Sequence, residues 1–449
     1  MTSTEAPGAP PAEEPEEPGN NDFEVAESAY VDGDRSFSPG TARTAFSHRT
    51  FRIIYLGAFA SNIGTWMQNV VLGALAYELT HSGTFVGLVI AAQLGPLLLF
   101  SMVGGIIADS FDRKKSLMVL SVQQAVFSLL LAVVAIPANP SKVLLVAVVF
   151  AIGVGNALYA PIFSALVPIL VPRRDMTGAI ALNSVQMNAS RVIGPAIGSL
   201  IFSTFGAPWV FVINAVSFGF VILSLTRVTL PDPLATGAQG WHRLVEGFQA
   251  ARGDRVVGQC LVVIAIFSFL CLPFITQLPL IADLHLHINA KSTTYGILYA
   301  CFGMGAVIGA LSIGTVFASS SKAKLTRRGL IGFAVMLTAF GALRASAPAF
   351  LVIMVLGGVY FAVITSLSTV LQEQVDDAVR GKVMALWIMG FGGTVPFGGL
   401  LGGILMEQFG ILAVLIGGSV VAVLLAWWAD LLPVAPPRRS GFALLDRSR

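Results

Sequence analysis

The chain has 449 residues, 55% of them hydrophobic and only 11% charged, with a mean hydropathy of +0.80. A soluble domain carries about 25% charged residues, so this composition cannot cover a water-facing surface, and a soluble globular protein is excluded. The formal net charge of +3 hides an asymmetry: residues 1–34 hold ten acids and no base, which leaves fourteen acids against twenty-seven bases in the rest.

Those 34 residues also carry five prolines and few large apolar side chains. They read as part of a disordered, acidic, cytoplasmic tail over residues 1–50. Beyond it lie twelve apolar stretches, each long enough to cross a bilayer as a helix. They fall near 53–78, 84–108, 116–136, 142–168, 178–205, 208–230, 257–282, 293–318, 329–346, 348–374, 383–406 and 410–432.

The first stretch contains SNIGTWMQNVVLGALAYELT, Ser61 to Thr80. Asn62, Trp66 and Asn69 recur there at i, i+4 and i+7 and share one helix face. Glu78 stands near its end. Between the second and third stretches comes GGIIADSFDRKK, Gly104 to Lys115. So short and charged a link between two apolar runs belongs at a membrane surface. Asp109 closes a helix whose Gly104 and Gly105 let a neighbouring helix approach. A carboxylate beside Arg113 can form charge-assisted contacts that break when helices rock.

The fifth stretch is preceded by VPRRDMTGAIALNS, Val171 to Ser184, and contains ASRVIGPAIGS, Ala189 to Ser199. Arg191 is the one charge well inside a stretch, about 20 Å along the helix from Gly178 at ~1.5 Å per residue. An intramembrane arginine is costly and faces a cavity or a partner. It can attract an anionic or polar substrate group, control a carboxylate during proton coupling, or pair structurally with helix carbonyls. Asn183, Gln186 and Asn188 precede it. Gly194, Pro195 and Gly198 give a kink and a close helix contact. Gln93, Asn156, Asn214 and Gln277 are single amides of the kind that bond between helices.

Residues 231–256 form the longest basic-side loop, and Trp241 to Arg255 places Leu244, Val245 and Phe248 at helical spacing. That segment reads either as an amphipathic helix on the membrane face or as a polar linker. Asp283 lies near the end of the seventh stretch. Cys260, Cys271 and Cys301 all fall in apolar runs and do not form a disulfide framework. Residues 433–449 form a basic C-terminal tail.

With the N-terminus inside, twenty-three bases fall on the inner side and only Lys142, Lys291 and Arg344 on the outer. This positive-inside bias puts both termini in the cytoplasm. The linker divides the chain into two six-helix bundles, 51–230 and 257–432. Shifting the chain by 204 residues lays Ala181-Leu182 on Ala385-Leu386, Gly194 on Gly398, Gly198 on Gly402 and Phe205-Gly206 on Phe409-Gly410. A shift of 209 lays Gly87 on Gly296 and Gly105 on Gly314. Such a parallel repeat is how many secondary transporters are built, with the substrate path between the halves.

From these residues the chain is identified as resembling the major facilitator superfamily over residues 50–432. The loop pattern G-x-x-x-D-(R/K)-x-G-R-(R/K) is matched in step by Gly105, Asp109, Arg113 and Lys114. Ser110 replaces a base and Asp112 a glycine. The resemblance implies an all-α fold of twelve transmembrane helices in two pseudo-symmetric bundles. It also implies that Gly105, Asp109, Asp112, Arg113 and Lys114 form a cytoplasmic conformational latch. The counterpart loop, Gly314 to Arg328, keeps the bases and lacks the acid. The segments at 61–80, 171–184 and 375–387 resemble the branch holding an enterobactin exporter and macrolide efflux pumps. GPAIGS at 194–199 is similar to the antiporter motif G-P-x-x-G-G.

The implied function is efflux of a small amphipathic molecule (a drug, siderophore or secondary metabolite) by proton antiport and alternating access, by a monomer in the cell membrane. Arg191, Asn62, Trp66, Asn69, Gln186 and Asn188 are the expected path, and Glu78 and Asp283 the candidate proton carriers. No cofactor is expected: the phosphate-binding G-x-x-x-x-G-K-(S/T) is missing, and His285 and His287 are a bare pair. The bases are spread over membrane-edge loops, so nucleic acid is not an expected partner. The rivals are a proton-coupled importer of a nutrient, a polytopic membrane enzyme and a non-transporting scaffold.

Overall fold

The computed structural model describes residues 40–229, 248–249 and 251–431, without the side chains at 101–102, 105–106, 108–110, 168 and 377–378. The first half consists of α1 (Ala42–Ser47), α2 (Arg49–Thr80), α3 (Gly83–Ser110), α4 (Arg113–Val134), α5 (Lys142–Leu166), α6 (Met176–Phe205) and α7 (Ala207–Thr226). In the second half α8 (Arg255–Ile266) runs through a π turn (Phe267–Cys271) into α9 (Pro273–Thr276) and α10 (Leu278–Leu286). There follow α11 (Thr293–Gly314), α12 (Lys322–Ala342), α13 (Ser346–Gln374), α14 (Asp377–Gly392), α15 (Val395–Phe409) and α16 (Ile411–Trp428).

Helices stand at each of the twelve expected places. Among the described residues, nine stretches are long and apolar enough to cross a membrane. The other three places hold α2, α6 and α12, which are 32, 30 and 21 residues long but more polar. The starts are set by short polar side chains. Ser82, Asp112, Ser141, Ser292 and Ser321 each accept a hydrogen bond from a first-turn backbone N–H. Asp112 moves the start of the third span to Arg113, ahead of the expected 116.

Two expected continuous spans are interrupted. Pro273 has no N–H to give, and the ladder before it loosens into the π turn. In the eleventh, Gly393 and Thr394 separate α14 from α15, and Thr394 Oγ1 donates to the Gly390 carbonyl at 2.7 Å. The described residues begin at Gly40, and α1 lies inside the stretch 1–50 assigned to a tail. The expected amphipathic segment 241–255 lies mostly outside the described residues.

The repeat has a physical basis in close helix crossings. A Cβ built on Gly194 would lie 2.5 Å from Trp66 Cβ, and one on Gly198 2.9 Å from Met67 Cα, so α6 lies tightly on α2. Their counterparts Gly398 and Gly402 press α15 onto Phe269 and Pro273 in the same way. A Cβ built on Gly87 would lie 2.9 Å from the Gly399 carbonyl oxygen, and one on its counterpart Gly296 2.6 Å from that of Pro195. These last two crossings join the halves: α3 lies on α15, and α6 on α11. Small residues let backbones approach where lipid gives no hydrophobic drive for association.

Large apolar side chains cover the outside, for example Val143, Phe205 and Trp427 at 80%, 70% and 78% exposure. Such faces are stable against lipid tails and not against water. An apolar cavity of about 370 Å³ opens between the π turn, α15 and α16, lined by Phe269, Leu270, Leu405 and Val421 among others. None of the expected path residues lines it.

Candidate functional site

Arg191 is at the midpoint of α6. Its guanidinium carbon lies 5.3 Å from the ring centre of Trp66 on α2 and 4.9 Å from that of Phe361 on α13. One bracket therefore comes from each half. Cation–π attraction holds the group in place, but its Nε is fully buried with no hydrogen-bond partner. Pro195 cannot donate to the Arg191 carbonyl four residues back. Gly303 of α11 is packed against that carbonyl, where a Cβ would lie 2.9 Å away.

Beyond Phe361 stands a connected set of rings. Phe361 meets Tyr360 at 4.8 Å, Tyr360 meets Phe302 at 5.8 Å, and Phe302 meets Tyr299 at 6.3 Å. Sequence reasoning brought Arg191 and Trp66 forward and passed over Phe361, Tyr299 and Tyr360. An aromatic residue inside an apolar run looks like core, and it is the packing of α13 on α11, itself packed on α6, that brings Phe361 to the arginine.

The other expected path residues are spread. Asn69 accepts from Gln93 Nε2 at 2.5 Å, which ties α2 to α3. Asn188 donates to the Ser184 carbonyl of its own helix at 2.8 Å. Gln186 is buried, and its Nε2 has no partner. Asn62 is half-buried. Asn214 donates to Gln68 at 2.9 Å and Gln124 to Asn156 at 2.8 Å, so these amides join helices within the first half.

The loop between α3 and α4 is at the basic end of the bundle. Gly105 and Asp109 occupy the last turns of α3, where side chains fall outside the description. Gly104 brings α3 onto α5: a Cβ there would lie 2.7 Å from Pro161. Asp112 caps α4 by accepting from Lys115 N at 3.1 Å. Lys114 donates to the Val228 carbonyl at 2.6 Å, tying α4 to the end of α7. Arg113 opens α4. In the counterpart loop Lys322 donates to the Phe317 and Ala318 carbonyls at 2.6 and 2.9 Å, closing the end of α11.

Also at the basic end, Asp175 is fully buried and was not singled out from the sequence. It accepts from Gly40 N at 3.1 Å and contacts His48 Nε2 at 2.9 Å. These bonds, led by the one to His48, hold its carboxyl below the usual carboxylate range.

The opposite end carries the acids expected to take protons. Tyr77 Oη donates to Asp283 at 3.0 Å, and Lys291 pairs with Glu78 at 3.3 Å. Glu407 of α15 accepts from Ser82 Oγ at 2.7 Å, Thr84 N at 3.0 Å and Thr84 Oγ1 at 2.6 Å, at the start of α3. Gln277 donates to the Gly83 and Gly399 carbonyls, each at 2.9 Å. Ser203 and Thr293 hydroxyls meet at 3.0 Å between α6 and α11. Each of these groups except the Gln277–Gly399 bond joins one half to the other.

A profile of the transmembrane secretion effector family matches residues 40–438. The enterobactin exporter EntS of Shigella boydii serotype 4 is 26% identical over 350 residues, covering 76% of this chain and 81% of its own. The EntS of Escherichia coli O81 is 25% identical over 348 residues, with the same coverage. Among solved structures, the nucleoside transporter NupG (D323A mutant) superposes with a TM-score of 0.70 at 16% identity, covering 84% of this chain and 98% of NupG. The xylose transporter XylE from E. coli, in an inward-open conformation, gives 0.66 at 15% identity, covering 85% and 95%. With two helical halves packed through repeated glycine crossings, the chain belongs to the transmembrane secretion effector family of the major facilitator superfamily, and it is a multi-pass membrane transporter rather than an enzyme.

Proposed function

We propose that this protein exports a small amphipathic molecule from the cytoplasm by proton antiport, rocking its halves about the site at Arg191. The observation that carries this reading is the bracket itself. Arg191 and Trp66 belong to one half and Phe361 to the other, all near mid-helix. A molecule bound there is held by both halves, so its binding responds to their movement. Among the described residues, polar contacts join the halves at the end away from the basic loops. By the positive-inside bias the basic end and both termini face the cytoplasm, so the end that these contacts close is the outer one. All twelve helices then span the cell membrane, and the protein acts as a monomer.

Gly105, Asp109, Asp112, Arg113 and Lys114 form the cytoplasmic latch of the opposite, outward-facing state. The packing of Gly104 on α5 and the capping of α4 by Asp112 support it, because both fix the geometry of that loop. Glu78 and Asp283 take protons in the outer cavity when the outer contacts open; the contacts that Lys291 makes to Glu78 and Tyr77 to Asp283, each across the halves, support this. Asn62, Asn69, Gln186 and Asn188 flank the path, with Gln186 having an unpartnered amide nitrogen. Similarity to enterobactin exporters supports the export direction and a siderophore-like or drug-like cargo.

Everted membrane vesicles from cells producing the full chain test the reading. Acidifying their lumen with a respiratory substrate should drive accumulation of an amphipathic probe, and an uncoupler should abolish it. Accumulation only in right-side-out vesicles would assign import instead. No gradient-dependent movement in either orientation would remove the transport proposal.

A further inference from the structure

We infer that the cargo presents an anion mounted on an aromatic ring, such as an aryl carboxylate, to the edge of the Arg191 guanidinium between Trp66 and Phe361. This rests on the export reading and names the substrate class of the same site.

The argument starts from charge. Arg191 forms no ion pair and no hydrogen bond among the described residues, and its Nε is an orphaned buried donor. A guanidinium within a membrane span is normally paired with an acid or with carbonyls. An anion that arrives with a ligand would supply the counter-charge and the acceptor that this cation lacks among the described residues.

Shape comes next. The planar guanidinium carries five N–H donors around its edge and none on its faces. Two aromatic rings lie within 5.3 Å of its central carbon. Rings that engage it through cation–π contact leave hydrogen-bonding capacity unused. A carboxylate arriving at the edge would meet paired donors in the geometry it prefers.

The third element is the ring wall. Tyr360, Phe302 and Tyr299 continue from Phe361 with ring centres 4.8 to 6.3 Å apart. An aromatic body attached to the anion can stack beside Phe361 or Trp66. A fatty anion gains no such stacking, and a neutral aromatic leaves the donors unpaired. A site built around buried donors rejects a ligand that cannot satisfy them more strongly than a site built on apolar contact rejects a missing methylene.

Purified full-length protein in lipid nanodiscs tests this with three probes: 2-naphthoate, 2-naphthamide and decanoate. Isothermal titration should find naphthoate bound at least about tenfold more tightly than either of the others. Arg191→Ala should abolish that preference. Arg191→Lys, which keeps the charge but not the planar fork, should weaken naphthoate by roughly tenfold. Phe361→Leu should weaken naphthoate more than decanoate. Equal binding of naphthoate and naphthamide by the wild-type protein, or an unchanged preference in Arg191→Lys, would overturn the assignment. So would failure of all three probes to bind. If Arg191→Ala does not fold, the Lys and Leu variants decide alone. The vesicle assay separates the two layers. Arg191-dependent binding without gradient-driven movement in any orientation sinks the export reading and leaves the anion site. Export of naphthoate that Arg191→Lys leaves intact sinks the anion site and leaves export.

Discussion

Gly206 and Gly410 occupy the same corner of the two halves, each between two spanning helices. Their backbone angles are φ 89°, ψ 169° and φ 84°, ψ 157°. Only glycine adopts that region readily, and a side chain there costs about 1–3 kcal/mol. Gly206→Ala and Gly410→Ala should each lower the thermal midpoint of the purified protein, by similar amounts because the repeat puts them in one geometry. A Cβ built on Gly410 has nothing within 4 Å, so strain rather than a clash would set the loss there. A midpoint unchanged in Gly410→Ala would show that the turn relaxes. These two residues were legible in the sequence, since Phe-Gly recurs at one offset beside the other glycine matches. Arg191 was legible as well, because a charge inside an apolar run has few inexpensive explanations. Phe361 was not, for lack of any contrast with its apolar neighbours. Asp112 read as a departure from a family pattern, while its cap on α4 is the ordinary work of an aspartate before a helix.

At the scale of elements, α1 has only six residues and cannot persist as an isolated helix. It is held by contacts to the turn before α6. Asp175 takes Gly40 N and His48 Nε2 together, and Gly178 gives room for the Thr41 carbonyl against α6. Nothing in the local sequence links His48 to a residue 127 positions away, and so the segment up to residue 50 read as tail. The carboxyl of Asp175 titrates below its unfolded value, which is about 3.9 for an aspartate. Its contribution is therefore complete above that value and disappears as the pH falls through the lower, folded one. Asp175→Asn at neutral pH should expose the arm, and trypsin should cut at Arg43 and Arg49 several-fold faster than in the wild type. Hydrogen exchange over 41–48 should rise in the wild type only in acid below about pH 4, and be high at every pH in the variant. Equal protection in both proteins at neutral pH would mean that packing, rather than this carboxylate, holds the arm.

For the whole molecule, the two halves use one device at different depths. Glycine crossings of α3 on α15 and of α6 on α11 give a close-packed seam, and polar contacts close it at the end away from the basic loops. Movement that exposes Arg191 to that end must part Glu407 from Ser82 and Thr84, Lys291 from Glu78, and Asp283 from Tyr77. The exposed Lys291–Glu78 ion pair contributes only about 0–1 kcal/mol and each hydrogen bond to a carboxylate about 1.5–3 kcal/mol, so a bound ligand can outweigh them and the seam can cycle. The test is to fix it shut. Ser82 Oγ and Glu407 Oε1 are 2.7 Å apart, so Ser82→Cys combined with Glu407→Cys should react with a short bifunctional thiol cross-linker in the resting protein. Cross-linking should arrest gradient-driven transport in everted vesicles and leave naphthoate binding from the basic side in place. Each single variant treated with the same reagent should stay active, which controls for reaction at Cys301. A cleavable linker should restore transport on reduction. Transport that continues through a cross-linked seam would mean that the end bearing Glu407 does not open, and the alternating-access reading would fall with it.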